Sequence, residues 1–358
     1  MKIGIDGGAL CAPQEKRFGN YVFSENIISE LIRQYDNNEI LVYSFCDWKD
    51  PISNPPASNG VSRGNWEKII LPKKGYFTIW LNLFNKLTKD DLFLALNQVI
   101  PKLIKAKVIS FSHGLSFMFY PQFYPDSYHK MKNQIDDMAA RSQYIIVSSE
   151  RVKEEWLTLY PNLKNIVALP FGIPMDMQRQ KFKLKAKIDN FLNTEYSILD
   201  TKYFLFVGMD HPIKNIEFIV DSFLKTFKEK KDIYLYLVGV DEIWENRGVQ
   251  IKTFRFVSRQ QLKLFYQNAQ ALLTASYYES FNLPVLEALS LDCPVIGLES
   301  AIIPELQKYV NISHNKTDFC EFISAVDSRQ NVRTKLEKEF SWEKYVNTIQ
   351  QLIEKSDQ

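Results

Sequence analysis

Short, nearly uninterrupted apolar runs that end in turn residues alternate along this chain with longer stretches whose apolar positions recur at helical spacing. Lys2–Asp6, Ile40–Phe45, Leu92–Leu96, Val108–Phe111 and Tyr144–Val147 read as strands, and Tyr21–Gln34 as a helix between the first two. Ser149–Tyr160 places Val152, Trp156, Leu157 and Leu159 where a helix would bury them against a sheet. The pattern pauses after Ile166–Leu169 and resumes with a strand at Tyr203–Val207. Asn215–Lys230 then reads as helix, Ile233–Val238 as strand, and Ser258–Asn268 as helix, opened by a Ser258/Gln261 capping box. Ala271–Ala275, Pro284–Ser290 and Pro294–Gly297 continue the series. Such βα alternation predicts parallel sheets with helices on both faces. The pause places a hinge between Phe171 and Tyr203, so the simplest architecture is two α/β domains with a cleft between them.

The composition fits two buried cores. The chain has 358 residues, 46% of them hydrophobic and 24% charged, which excludes global disorder. Forty-four Lys and Arg against 42 Asp and Glu leave a charge of +2, no footprint for general nucleic-acid binding. Cys11, Cys46, Cys293 and Cys320 lie far apart without a CxxC pair, and they read as reduced thiols of a cytoplasmic protein. The opening residues turn acidic at Asp6 before a secretory apolar run can build. No run approaches the length of a spanning helix.

In open α/β sheets ligands bind beyond the carboxyl ends of the strands, close to helix N-termini. The segment Glu279-Ser280-Phe281-Asn282-Leu283-Pro284-Val285-Leu286-Glu287 follows one predicted strand and runs into a helix with Pro284 at its first position. Backbone amides around Asn282, Leu283 and Val285 would then suit a diphosphate. Glu279 and Glu287 are carboxylates able to accept sugar hydroxyls. Taken alone, Glu279 reads equally as a loop charge and Glu287 as a solvated helix residue.

Here the sequence resembles the retaining glycosyltransferases of family 4, whose hallmark is two glutamates in a context like E-G-F-G-L-P-x-L-E-A. Val207-Gly208 followed by Lys214-Asn215, Cys293-Pro294-Val295-Ile296-Gly297 and Phe340-Ser341-Trp342-Glu343 resemble further segments of that family in the same order. So do Ile3-Gly4-Ile5-Asp6, Phe18-Gly19-Asn20-Tyr21 and Ser112-His113-Gly114. The resemblance implies the GT-B fold, two Rossmann-like doubly wound domains facing a central cleft. Residues 1–171 would form the acceptor-side domain and 172–340 the nucleotide-sugar domain. The helix at about 341–358 would pack back on the first.

The resemblance also implies roles. Glu287 would hold the ribose hydroxyls, and Glu279 would bind a hydroxyl of the donor sugar. Lys214, before a helix capped by Asn215, would face the diphosphate and stabilise charge on the leaving group. Ser280, Phe281, Asn282 and Leu283 would line the donor site, Gly19 would let a loop approach the phosphates, and His113 would reach the donor sugar from the other domain. Retention would proceed by front-face attack, with no metal and no cofactor. Asp136-Asp137 reads as a solvated helix face, not a metal-binding pair.

Three departures stand out. Met209 occupies the position of an arginine common in that family, so a second cation would come from elsewhere, such as Arg17 or Arg255. Ser280 and Asn282 replace frequent glycines. The implied activity is transfer of a hexose from a nucleotide-sugar (GDP-mannose or UDP-hexose type) to a glycan or lipid-linked acceptor in surface polysaccharide synthesis. A nucleotide-sugar epimerase or hydrolase, and a non-catalytic nucleotide-sugar-binding protein, are the alternatives. Phe77–Phe84, flanked by Lys73, Lys74 and Lys86, reads as a core-facing amphipathic helix or as one that touches the inner membrane. The basic run Arg179–Lys187 reads as a solvated linker, with acceptor-phosphate or membrane contact as the alternative.

Overall fold

The computed structural model describes residues 1–17, 19–34, 38–49, 65–178, 201–326 and 332–356. Phe18 and the basic run Arg179–Lys187 lie outside the described residues, as does most of the expected hinge. The chain divides into two compact units, Met1–Gly172 with Ser341–Gln358, and Ile173–Phe340.

The first unit holds a seven-stranded parallel sheet. Its strands are β1 (Lys2–Asp6), β2 (Glu39–Ser44), β3 (Trp66–Ile70), β4 (Leu92–Ala95), β5 (Lys107–Ser112), β6 (Tyr144–Val147) and β7 (Ile166–Ala168), in the order β3-β2-β1-β4-β5-β6-β7. β1, β2 and β4 are buried almost throughout, which is why they read as unbroken apolar runs. Helix α1 (Gly19–Gln34) starts two residues before the sequence pattern does. The terminal helix Trp342–Ser356 packs beside α1, where Phe23 meets Trp342 and Tyr345 at ring distances of 6.0 and 6.2 Å. A Cβ on Gly172 would lie 2.4 Å from the Trp342 backbone nitrogen, so only glycine permits that approach.

The second unit holds six parallel strands: β8 (Lys202–Val207), β9 (Ile233–Val238), β10 (Ile251–Phe254), β11 (Leu272–Thr274), β12 (Val295–Leu298) and β13 (Asn311–Ser313), ordered β10-β9-β8-β11-β12-β13. Its core is aromatic-rich, with Phe204, Phe206, Phe223 and Phe319 against Leu235, Leu273 and Ile296. The capping box on the helix Arg259–Asn268 is present in both halves, Ser258 and Gln261 each bonding the other's backbone amide. In each sheet the strand order reverses once, between β1 and β4 and between β8 and β11. The ends of those strands are the topological switch points where α/β sheets bind ligands.

Two expectations need correction. Cys11 and Cys46 are not free thiols but form a disulfide. They are 35 residues apart in sequence, yet Cys11 closes the turn after β1 and Cys46 follows β2, and those strands are parallel neighbours. Parallel pairing brings the two post-strand loops to the same edge. Pro284 is the second residue of the helix Leu283–Ser290, not the first. Asp136 and Asp137 do sit on a half-exposed helix face, paired with Lys132 at 2.6 Å and Arg141 at 2.8 Å.

Candidate active site

The switch point of the second unit brings together residues that are 65 apart in sequence. After β8, the short turn Pro212–Lys214 is capped by His211, whose ring nitrogen accepts from the Ile213 amide. The Ile213 carbonyl accepts from the Tyr277 amide at 2.9 Å, and the Asn215 side chain donates to the Ala275 carbonyl at 3.2 Å. Asn215 stands at the N-cap position of the helix Ile216–Thr226 as expected, but its side chain ties two loops together and makes no capping bond. The seam places Lys214 Nζ 2.6 Å from Glu279 Oε1, and the same oxygen accepts from Ser276 Oγ at 2.7 Å. Lys214 and Glu279 thus share one partly buried spot.

The turn into the next helix depends on Asn282. It adopts φ 66° and ψ 67°, the left-handed region that glycine usually occupies. Asparagine tolerates this region better than most residues. Its side-chain amide donates to Thr274 Oγ1 at 3.2 Å and the Ala301 carbonyl at 3.0 Å. That explains how a non-glycine residue fits there. Phe281 is buried against Phe340, so it offers a pocket only its backbone. The Val285 amide, expected to point at a ligand, instead donates to the Asn282 carbonyl at 3.0 Å. Half-buried Ser280 precedes the helix start, which is formed by Asn282 and Leu283.

Glu287 is buried and held on both oxygens. Arg259 Nη2 donates to Oε1 at 2.7 Å and Tyr266 OH to Oε2 at 3.0 Å. Arg259 also grips Asp176 through Nε at 2.7 Å and Nη2 at 3.0 Å. Burial pushes the Glu287 carboxyl up, while Arg259 and the Tyr266 hydrogen bond pull it back. Burial opposes the charge on Arg259 as well, but Glu287 and Asp176 outweigh it and hold the guanidinium above its ordinary value.

Arg259 was not anticipated. A cation in the first turn of a helix opposes the helix dipole, and that local conflict is a sequence signal for an acidic partner. Arg259 and Tyr266 are also seven apart, two turns on one face. Arg17 belongs to the first unit, where it lies over the Tyr21 ring at 4.7 Å. Arg255 is 83% exposed and pairs with Asp241 at 3.3 Å. Met209, after the Gly208 turn, is exposed.

His113 and Gly19 stand in the first unit. Gly19 opens α1 and is exposed. His113 follows β5, and its Nε2 lies 2.6 Å from the Leu96 carbonyl, which can only accept, so Nε2 carries the proton. Burial lowers its pKa and keeps the ring neutral. The ring stacks edge-on against Phe23, 5.2 Å between centroids. At this unit's switch point Asp6 is fully buried, accepting from the Gly8 amide and Tyr76 OH, each at 3.0 Å, and from Asn97 Nδ2 at 2.7 Å. Asn97 in turn accepts from Asn20 at 2.8 Å. Burial raises the Asp6 pKa to about 6.

Residues 201–328 match the family of Glycosyl transferases group 1. That stretch contains Lys214, Arg259, Glu279 and Glu287. The chain is 25% identical over 233 residues to O-antigen chain mannosyltransferase B of Escherichia coli, covering 61% of this chain and 59% of that protein. Two solved structures share the fold. Sucrose-phosphate synthase of Thermosynechococcus elongatus superposes with a TM-score of 0.73 at 15% identity, over 99% of this chain and 98% of that one. Anabaena Alr3699/HepE, in complex with UDP and glucose, does so with 0.71 at 11%, over 99% and 100%. The architecture is GT-B, with two parallel-sheet Rossmann-like units.

Proposed function

We propose that this protein is a glycosyltransferase that moves a hexose, with retention, from a nucleotide-sugar to a glycan or lipid-linked saccharide during surface polysaccharide synthesis. The observation that carries this reading is the Lys214–Glu279 pair at the β8/β11 switch point, within the stretch that matches the family. The mannosyltransferase relative and the UDP-bound structural neighbour support the donor class.

In this reading the diphosphate takes the place beside Lys214 and the amides at the start of Leu283–Ser290. Lys214 Nζ then has two anions in reach, the carboxylate it holds now and the phosphate. Negative charge grows on the leaving phosphate as the glycosidic bond breaks, so a fixed ammonium there favours the transition state over the ground state. Glu279, drawn toward Lys214 and Ser276, presents its other oxygen to a sugar hydroxyl. Glu287 accepts the ribose hydroxyls. Gly19 and neutral His113 serve from the first unit, His113 through its Nδ1 lone pair. The acceptor attacks the face that the phosphate leaves, and a phosphate oxygen takes its proton. The reaction needs no metal and no cofactor, since Lys214 and the helix start neutralise the leaving group. The protein works as a peripheral partner of the inner membrane's cytoplasmic face.

Incubation with GDP-mannose or UDP-hexoses and an acceptor panel, with NMR of the product's anomeric centre, tests this. A new glycoside with the donor's configuration, formed in excess chelator, is the expected result. Released nucleotide without a glycoside points to an epimerase or hydrolase. Donor binding without turnover, unaffected by Glu279→Ala, points to a binding protein.

A further inference from the structure

We propose that one face of the first unit, formed by α2 (Leu81–Thr88) and the turn around Leu103, docks on an anionic lipid bilayer. Phe77, Trp80 and Phe84 pack on the core of this unit and Leu81 is fully buried, so the aromatic side of this helical run is internal. The other side is apolar as well. Ile79, Leu83 and Leu87, four residues apart, are 57%, 44% and 64% exposed. Asn82 Oδ1 accepts from the Leu103 amide at 2.6 Å, which brings Leu103, 74% exposed, alongside the same helix.

Lysines outnumber acids on the segments that carry these four side chains. Between residues 73 and 107 the chain carries seven lysines and two aspartates. Asp90 is buried and accepts from Tyr43, Asn85 and Thr88, and Asp91 accepts from the Lys2 amide. Lys86, Lys89, Lys102 and Lys105 are exposed on the helix and turn that carry the leucines. Exposed aliphatic side chains flanked by lysines match a bilayer surface with anionic headgroups: the leucines enter the acyl boundary and the ammonium groups meet the phosphates. A soluble protein partner would have to supply both an apolar groove and a dense acidic rim. The bilayer supplies both at once.

This deepens the reading of a peripheral protein that serves a lipid-linked acceptor, and it rests on that reading only for its purpose. Sedimentation with phosphatidylcholine vesicles, with and without 40% phosphatidylglycerol (an illustrative roughly physiological anionic fraction), in the absence of substrates, tests it apart from the activity. The full chain should partition onto the anionic vesicles only, and less so at high salt. Leu83→Gln with Leu87→Gln, and separately Lys102→Glu with Lys105→Glu, should each weaken partitioning by roughly tenfold or more, with unchanged far-UV dichroism and nucleotide binding. Partitioning equal to the variants', or absent, overturns the proposal. So does a concentration-dependent dimer that the leucine variant abolishes without vesicle binding, since a second copy would then cover the face.

Discussion

Lys214 Nζ lies 2.6 Å from Glu279 Oε1, and this contact joins the loops that leave the two strands at which the second sheet reverses its order. Two opposite charges placed there neutralise each other in the unliganded protein. In the proposed reading a diphosphate would offer the ammonium a second anion and draw it toward the reacting bond. Lys214→Ala should lower turnover by roughly a hundredfold or more, as the loss of one transition-state charge donor does. Steady-state kinetics with a nucleotide-sugar checks this, and unchanged turnover would remove the phosphate site from Lys214.

Arg259 should act on donor affinity through Glu287. It lies 2.7 Å from the Glu287 carboxylate, whose ionisation burial opposes. Removing the guanidinium lets the carboxyl pKa climb further. Arg259→Gln should therefore raise the donor KM more than it lowers kcat, and it should shift the acidic limb of the donor-binding profile to higher pH. Arg259→Lys should restore part of both. Glu287→Gln is a cleaner partner variant than alanine, which would leave buried Tyr266 without its acceptor and Arg259 with Asp176 alone. It should raise the donor KM alone, and an effect confined to the acceptor KM would show that Glu287 serves another ligand.

The strands legible in the sequence are those buried on both faces, such as Lys2–Asp6 and Ile233–Val238, because burial leaves an unbroken apolar run. Trp66–Ile70, Ile251–Phe254 and Asn311–Ser313 escape the pattern. All three are edge strands with half-exposed or exposed positions, and Glu67, Lys68 and Lys252 interrupt the run in the first two. At the site, Glu279 and Glu287 were legible because both lie in one contiguous segment. The partners of Glu287 were not, since Arg259 and Tyr266 meet it only through tertiary packing, as Asp176 meets Arg259. The disulfide was hidden for the same reason: strand pairing, not spacing, brings Cys11 to Cys46.

Asp6 should give the first unit a pH-dependent stability with the opposite sign to an ion-paired carboxylate. Its folded pKa is raised to about 6 from an ordinary 3.8. The group therefore favours folding fully below the ordinary value, and that contribution fades as pH rises through 6. The span corresponds to roughly 3 kcal/mol. Asp6→Asn removes the titration but keeps the shape. Thermal melts of both proteins between pH 4 and about pH 7 should show the wild type losing ground to the variant as pH rises. A constant difference in melting temperature would mean that Asp6 stays ionised in the folded protein.

The Cys11–Cys46 bond should stabilise the first unit and leave the second alone. It closes a loop across 35 positions that includes α1 and all of β2, and β2 pairs with β1 in the same unit. Chain-entropy arguments assign such a loop about 3–4 kcal/mol, by restricting the unfolded ensemble. Cys11→Ser with Cys46→Ser should lower the melting transition of the first unit by that amount, and a dithiol reductant should do the same to the wild type. Hydrogen exchange separates the units: amides of β1, β2 and α1 should lose protection while those of β8 and β9 keep theirs. In the proposed reading the second unit supplies Lys214, Glu287 and the helix start, so nucleotide binding should survive reduction. A variant as stable as the wild type, with no response of the wild type to reductant, would show that the two thiols are not joined in solution.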